Sequence, residues 1–139
     1  MIATEQEEVL ERLELTGEQD VVRIRQVVRM HGKELGVGLI NQTRITTAAS
    51  EILRNMYVYA GGGTVDIAKV RCEERPALLV TCADQGPGIE DIEQAMQDGY
   101  TTSRSLGSGL PGSRRLVDRF EIESTPGEGT TVQLLQFLG

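Results

Sequence analysis

The sequence predicts an α+β fold, a two-layer α/β sandwich with helices on one face of a mixed, mostly antiparallel sheet. Three observations carry that expectation. Two long segments with apolar residues at helical spacing follow one another early in the chain; two strand-like runs, 64–72 and 77–84, are separated only by EERP; and strands and helices do not alternate in strict βαβ order. The chain has 139 residues, the length of one domain with its own core, so residues 1–139 are read as one domain.

The stretch EVLERLELTG (8–17) alternates in part and ends in Thr-Gly, which reads as a strand behind a few frayed residues. From Glu18 the period lengthens. Val21, Ile24, Val28 and Leu35 recur at helical spacing, with Asp20 as cap and Gly36 as stop. A second, longer helix is expected from Gly38 to Ala60, burying Ile45, Ala48, Ala49, Ile52, Leu53 and Met56 and ending at AGGG. TVDIAKVRC and ALLVTCAD then form a strand pair with a hairpin-type connection. EDIEQAMQDG suits a short helix, YTTSRSLGSGLPG a polar glycine-rich loop, and SRRLVDRF another helix. EIESTPGEGTTVQLLQF closes the chain as two strands around a Pro-Gly turn.

Composition narrows the function. Twenty-one acidic against fourteen basic residues give a net charge of −7, which repels phosphate backbones and anionic membranes, and 4% aromatics without Trp offer little to stack on bases. Neither nucleic acid nor membrane is expected as a partner. No apolar run approaches the roughly 20 residues of a membrane span, and the acidic beginning lacks signal-peptide character, so a cytoplasmic location is expected. Cys72 and Cys82 have no metal-ligand spacing and read as reduced core residues.

Four stretches could carry chemistry. Glu51 and Asn55 lie one turn apart on one helix face, with Thr47 on the same stripe. A solvated polar face would look the same; the functional alternative is a carboxylate acting as general base beside an amide oxygen suited to Mg²⁺. DQGPGI (84–89) either turns the chain at a strand exit or sets Asp84 against an exocyclic amine such as that of adenine, with Gly86 and Gly88 making room for a ring. SLGSGLPG places Gly107, Gly109 and Gly112 before a helix, where a flexible loop and a phosphate-binding backbone both want glycine. No Gly-Lys-Ser/Thr follows, so this is not a P-loop. GEGT (127–130) by itself is a hairpin turn.

Read in order, SEILRNMYVYAGGG, DQGPGI, SLGSGLPG and GEGT resemble the N, G1, G2 and G3 boxes of the ATPase and kinase superfamily that includes gyrase, Hsp90, histidine kinases and MutL. Within it, the wording from about residue 20 onward resembles the small bacterial serine/threonine kinases that regulate alternative sigma factors, in particular stressosome switch kinases. The resemblance implies the Bergerat-type (GHKL) sandwich and the cofactors ATP and Mg²⁺. It implies that Asn55 ligates Mg²⁺, that Glu51 activates the acceptor hydroxyl, that Asp84 reads the adenine amine, and that Gly86 and Gly88 shape the adenine pocket. Gly107 and Gly109 would belong to a short lid from about Gly99, and Thr130 would support the adenine contact. Arg104 in the lid, with Arg114 and Arg115 after it, would bring positive charge to the phosphates, although solvated arginines explain these residues as well.

The activity implied is transfer of the ATP γ-phosphate to a STAS-domain partner, scaffold or antagonist, followed by release to activate a PP2C-type phosphatase. Alternatives of other classes are an anti-sigma factor that binds a sigma subunit directly and a nucleotide-binding adaptor without transferase activity. A histidine kinase is disfavoured because the lone His31 is followed by Gly rather than an acidic residue.

Overall fold

In the computed structural model, which describes residues 1–97 and 106–139 (106–109 by backbone only), the elements run β1 (Glu5–Leu15), α1 (Glu18–Leu35), α2 (Leu39–Ala60), β2 (Gly63–Cys72), β3 (Arg75–Ala83), α3 (Ile92–Ala95), α4 (Leu106–Leu116), β4 (Arg119–Thr125) and β5 (Gly129–Phe137). The strands form one sheet in the order β1-β2-β3-β5-β4, and all four pairings are antiparallel.

Helix α1 starts where the sequence indicates, but Asp20 is not its N-cap. Gly17 holds that position and has no side chain to cap with. Asp20, in the first turn, reaches back instead and accepts from the backbone N–H groups of Thr16 (2.9 Å) and Gly17 (3.1 Å). Gly36 and Gly61 end α1 and α2 in the left-handed conformation that glycine adopts without a Cβ penalty. The β2–β3 connection narrows to Glu73 and Glu74, both at positive φ (52° and 65°), a pair whose twist matches that of the flanking strands.

Every residue assigned to the buried side of α2 is buried. With Val21, Ile24 and Val28 of α1 they meet Leu13, Leu15, Val65, Ile67, Leu78, Val80, Val132 and Leu134 of the sheet in one core. Each Val, Leu, Ile or Met among them contributes about 1.5–3 kcal/mol when fully buried, so α2 is held firmly from Ile45 to Met56. The opposite sheet face holds a smaller cluster, Ala68, Val70, Cys72, Ala77, Leu79, Leu135 and Phe137, with Ile2 against it and the Arg75 guanidinium 3.8 Å from the Phe137 ring centre.

The largest departure from expectation lies after α3. The sequence indicates a loop at SLGSGLPG and a helix at SRRLVDRF, yet α4 already begins at Leu106, ends at Leu116, and Arg119 and Phe120 open β4. Three glycines and Pro111 argue locally against a helix. Packing overrides them: Leu110 and Pro111 are buried, and α4 packs along α2.

Candidate nucleotide site

A cavity opens between α2, the exit of β3, the start of β5 and α4, enclosing about 430 Å³ of empty space including its mouth. Along α2, Ile52, Asn55, Met56 and Tyr59 recur at three- and four-residue spacing and so line it from one face. Asp84, Pro87, Gly88 and Ile89 supply the β3 exit, Thr130 and Val132 the β5 wall, and Leu110 the α4 wall. Mostly apolar walls with a few fixed polar groups suit a flat heteroaromatic ring.

Asp84 is held in two ways. Its N–H donates to the Thr130 carbonyl (2.9 Å), prolonging the β3–β5 ladder, and its Oδ1 accepts from the N–H groups of Gly86 (2.9 Å) and Thr130 (3.2 Å). Oδ2 has no protein partner among the described residues, leaving one oriented carboxylate oxygen for an amine donor. Thr130 is also tied by its hydroxyl, 2.8 Å from Ser124 Oγ, which in turn accepts from the Ile89 N–H at 2.7 Å. Turn, β4 and β5 are thereby knitted around the carboxylate.

Sequence reasoning gave the two glycines to ring clearance, but their first constraint is the protein itself. A Cβ on Gly86 would lie 2.5 Å from the Ala60 Cβ; on Gly88, at φ 75°, it would lie 2.4 Å from the Thr125 carbonyl oxygen. Gly129 was not singled out. Its φ of 129° and the 2.1 Å between a built Cβ and the Asp84 carbonyl oxygen make it the point where β5 passes closest to the Asp84 turn. The GEGT wording contained that signal.

Asn55 is half-buried, and its Nδ2 is enclosed without a hydrogen-bond partner among the described residues. A buried unpaired amide is unfavourable on its own. Rotation of the amide offers either nitrogen or oxygen at that point, which fits a phosphate oxygen or an oxygen-liganded cation such as Mg²⁺. Glu51, one turn earlier, is half-exposed, does not line the cavity, and meets Arg54 Nη1 at 3.2 Å. Such an exposed i,i+3 pair is worth at most about 0.5 kcal/mol, so Glu51 is readily released to another partner.

The glycines of the expected lid are placed differently from expectation. Gly107 and Gly109 belong to the first turn of α4, not to a loop feeding a helix, and Arg104 lies outside the described residues. Arg114 and Arg115 sit in the last turn of α4, at the end away from Leu110 and the cavity. Cys82 lies buried two residues before Asp84 on β3, where burial, with the Asp84 and Asp66 charges adding to it, pushes its thiol up to about 12. It is a packing residue, as its lack of spacing partners indicated.

Residues 40–138 match the family of histidine kinase-, DNA gyrase B- and HSP90-like ATPases, and the chain belongs to that family. It is 49% identical over 121 residues to serine/threonine-protein kinase RsbT of Bacillus subtilis (strain 168), spanning 87% of this chain and 91% of the relative, which makes it an RsbT-like member. An anti-sigma F factor of Caldanaerobacter subterraneus subsp. tengcongensis is 32% identical over 119 residues, 83% of each chain. In fold, the chain resembles one from the SiaB–SiaC complex of Pseudomonas aeruginosa (TM-score 0.58, 13% identity, 93% and 90% covered). No helix among the described residues is long and apolar enough to cross a membrane.

Proposed function

We propose that this chain is a serine/threonine protein kinase that transfers the γ-phosphate of Mg·ATP to a hydroxyl on a STAS-domain partner. The observation that carries the reading is one cavity lined by both Asp84, whose carboxylate is held by backbone N–H groups, and Asn55, whose Nδ2 is enclosed without a partner among the described residues, with Glu51 one turn before Asn55. Asp84 binds the exocyclic amine of adenine, and Thr130 holds that carboxylate in place. Asn55 holds Mg²⁺, which supplies charge neutralisation on the phosphates. The first turn of α4, with Gly107 and Gly109, offers backbone N–H groups to the phosphate oxygens. Arg104 is assigned to the same phosphates. Glu51 exchanges Arg54 for the acceptor hydroxyl and takes its proton; the new bond joins the acceptor oxygen to the γ-phosphorus, the bond from that phosphorus to the bridging oxygen breaks, and ADP leaves.

Likeness to RsbT supports a second role after release from the STAS partner, binding and activation of a PP2C-type phosphatase. Likeness to anti-sigma F factors supports a competing output, direct capture of a sigma subunit. The test is transfer of γ-labelled phosphate from Mg·ATP to purified STAS proteins of the same genome, with Asn55→Ala as control. Label on a serine or threonine of one STAS protein, absent with the variant, is the expected result. ATP binding without label on any of them would overturn the kinase assignment and turn the search to sigma-factor capture.

A further inference from the structure

Helix α4 carries three glycines and a proline in eleven residues, so something outside it must hold it. Along α2 there are three anchors at matching heights. Arg44 Nε donates to the Leu116 carbonyl (3.0 Å) and its Nη2 to the Arg115 carbonyl (3.3 Å); Ser113, fully buried, places its hydroxyl 3.4 Å from the Ala48 carbonyl; Leu110 and Ile52 line the same cavity. Residues 116, 113 and 110 thus lie beside 44, 48 and 52. The two helices run antiparallel in a fixed register, and the same count puts the first turn of α4 level with Asn55.

From this we infer that Arg44 is a positioning residue, a clamp on the C-terminal end of α4 that sets where its other end meets the nucleotide. The inference rests on the nucleotide reading of the cavity. The last carbonyls of a helix have no partner within it, and they carry the negative end of its dipole. A guanidinium bonded to two of them is a charge-assisted fork that both satisfies those acceptors and fixes the helix along its axis. Arg44 stands two and three turns from Glu51 and Asn55 on the same helix, so it ties α4 to the element that bears the proposed chemistry. Arg44 itself does not line the cavity.

The experiment combines Mg·ATP calorimetry with amide hydrogen exchange on the full chain. Arg44→Ala should weaken ATP binding about tenfold, the loss expected of charge-assisted bonds, and speed exchange in residues 110–116 while leaving β3 and β5 protected. Gly112→Ala, where a Cβ meets nothing within 4 Å, should slow exchange in α4 in the Arg44→Ala background without recovering the affinity, since alanine stiffens the helix but does not restore the clamp. Arg44→Lys, able to reach one carbonyl, should fall between. Unchanged affinity, exchange that rises equally across the sheet, or full recovery of affinity by Gly112→Ala would each overturn the clamp. Absence of ATP binding by the unmodified protein would instead overturn the nucleotide reading, while the exchange data would still test the clamp. Should Arg44→Ala not fold, unchanged ATP affinity in Arg44→Lys overturns the clamp as well.

Discussion

The two sides of the cavity are built by different means. On the Asp84 side, a strand ladder runs into a turn whose carboxylate, N–H groups and hydroxyls bond to one another, and Gly86, Gly88 and Gly129 stand where no side chain fits. On the α4 side, a helix of poor propensity is held by a buried leucine, a buried serine and one arginine. A base of constant shape suits the first arrangement. The second can be adjusted by small changes in tertiary contacts, which suits the end of the nucleotide where bonds change. α2 is common to both, because Asn55 and Glu51 are held by a helix that the core fixes from Ile45 to Met56.

Variants can separate the two sides. The largest effect is expected from Glu51→Ala. ATP affinity should stay near that of the unmodified protein while transfer slows about a hundred- to ten-thousandfold, the usual share of a general base. Single-turnover transfer under saturating ATP would measure it, and a full rate would remove Glu51 from the chemistry.

Asp84→Asn comes next and should act on binding. The amide keeps the shape, but it loses the charge that receives the N–H groups of Gly86 and Thr130 and the acceptor-only oxygen left for the ligand. A ten- to hundredfold fall in ATP affinity by calorimetry is expected, corresponding to about 1.5–3 kcal/mol for a hydrogen bond to a charged group. A variant that binds ATP as well as the parent would mean that Asp84 only turns the chain.

Gly88→Ala should be milder for the site than for the fold. Its left-handed φ and the nearby Thr125 carbonyl oxygen put the substitution at about 1–3 kcal/mol of stability. Denaturant unfolding would read it, and an unchanged midpoint would show that the turn shifts freely.

The same contrast decides how far the sequence could be read. The bonded side was legible: the β2–β3 pair, the exit at Asp84 and the buried stripe of α2 are set by local patterns that the final structure keeps. α4 was misread because its glycines and proline speak locally for a loop, while the forces that make it helical come from α2, some 65 to 72 residues away. Arg44 carried no signal at all in one dimension; an arginine on a polar helix face becomes a clamp only once Leu116 is beside it. The GEGT wording marked Gly129 as a turn glycine, but its close neighbour, the Asp84 carbonyl at the exit of β3, is distant in the sequence and shows only in the fold.

The smallest expected effect tests how tightly the bonded side is closed. Cys82, buried in the core two residues before Asp84, has its thiol pushed up from 9.0 to about 12, chiefly by burial and further by the charges of Asp84 and Asp66. In the unfolded chain the thiol loses its proton near the ordinary value, while in the folded chain it keeps it. The stabilisation is therefore complete below about pH 9 and is lost as pH rises toward 12, at up to about 1.4 kcal/mol per pH unit. Cys82→Ala removes that ionisation, so the difference in stability between parent and variant, measured by urea unfolding from pH 8 to 10.5, should move in favour of the variant as pH rises, whatever the cost of the lost sulfur at pH 8. A constant difference would mean that water reaches the thiol in the folded protein. The core at the end of β3 would then be open to solvent, and the closed, preorganised character assigned to that side would give way.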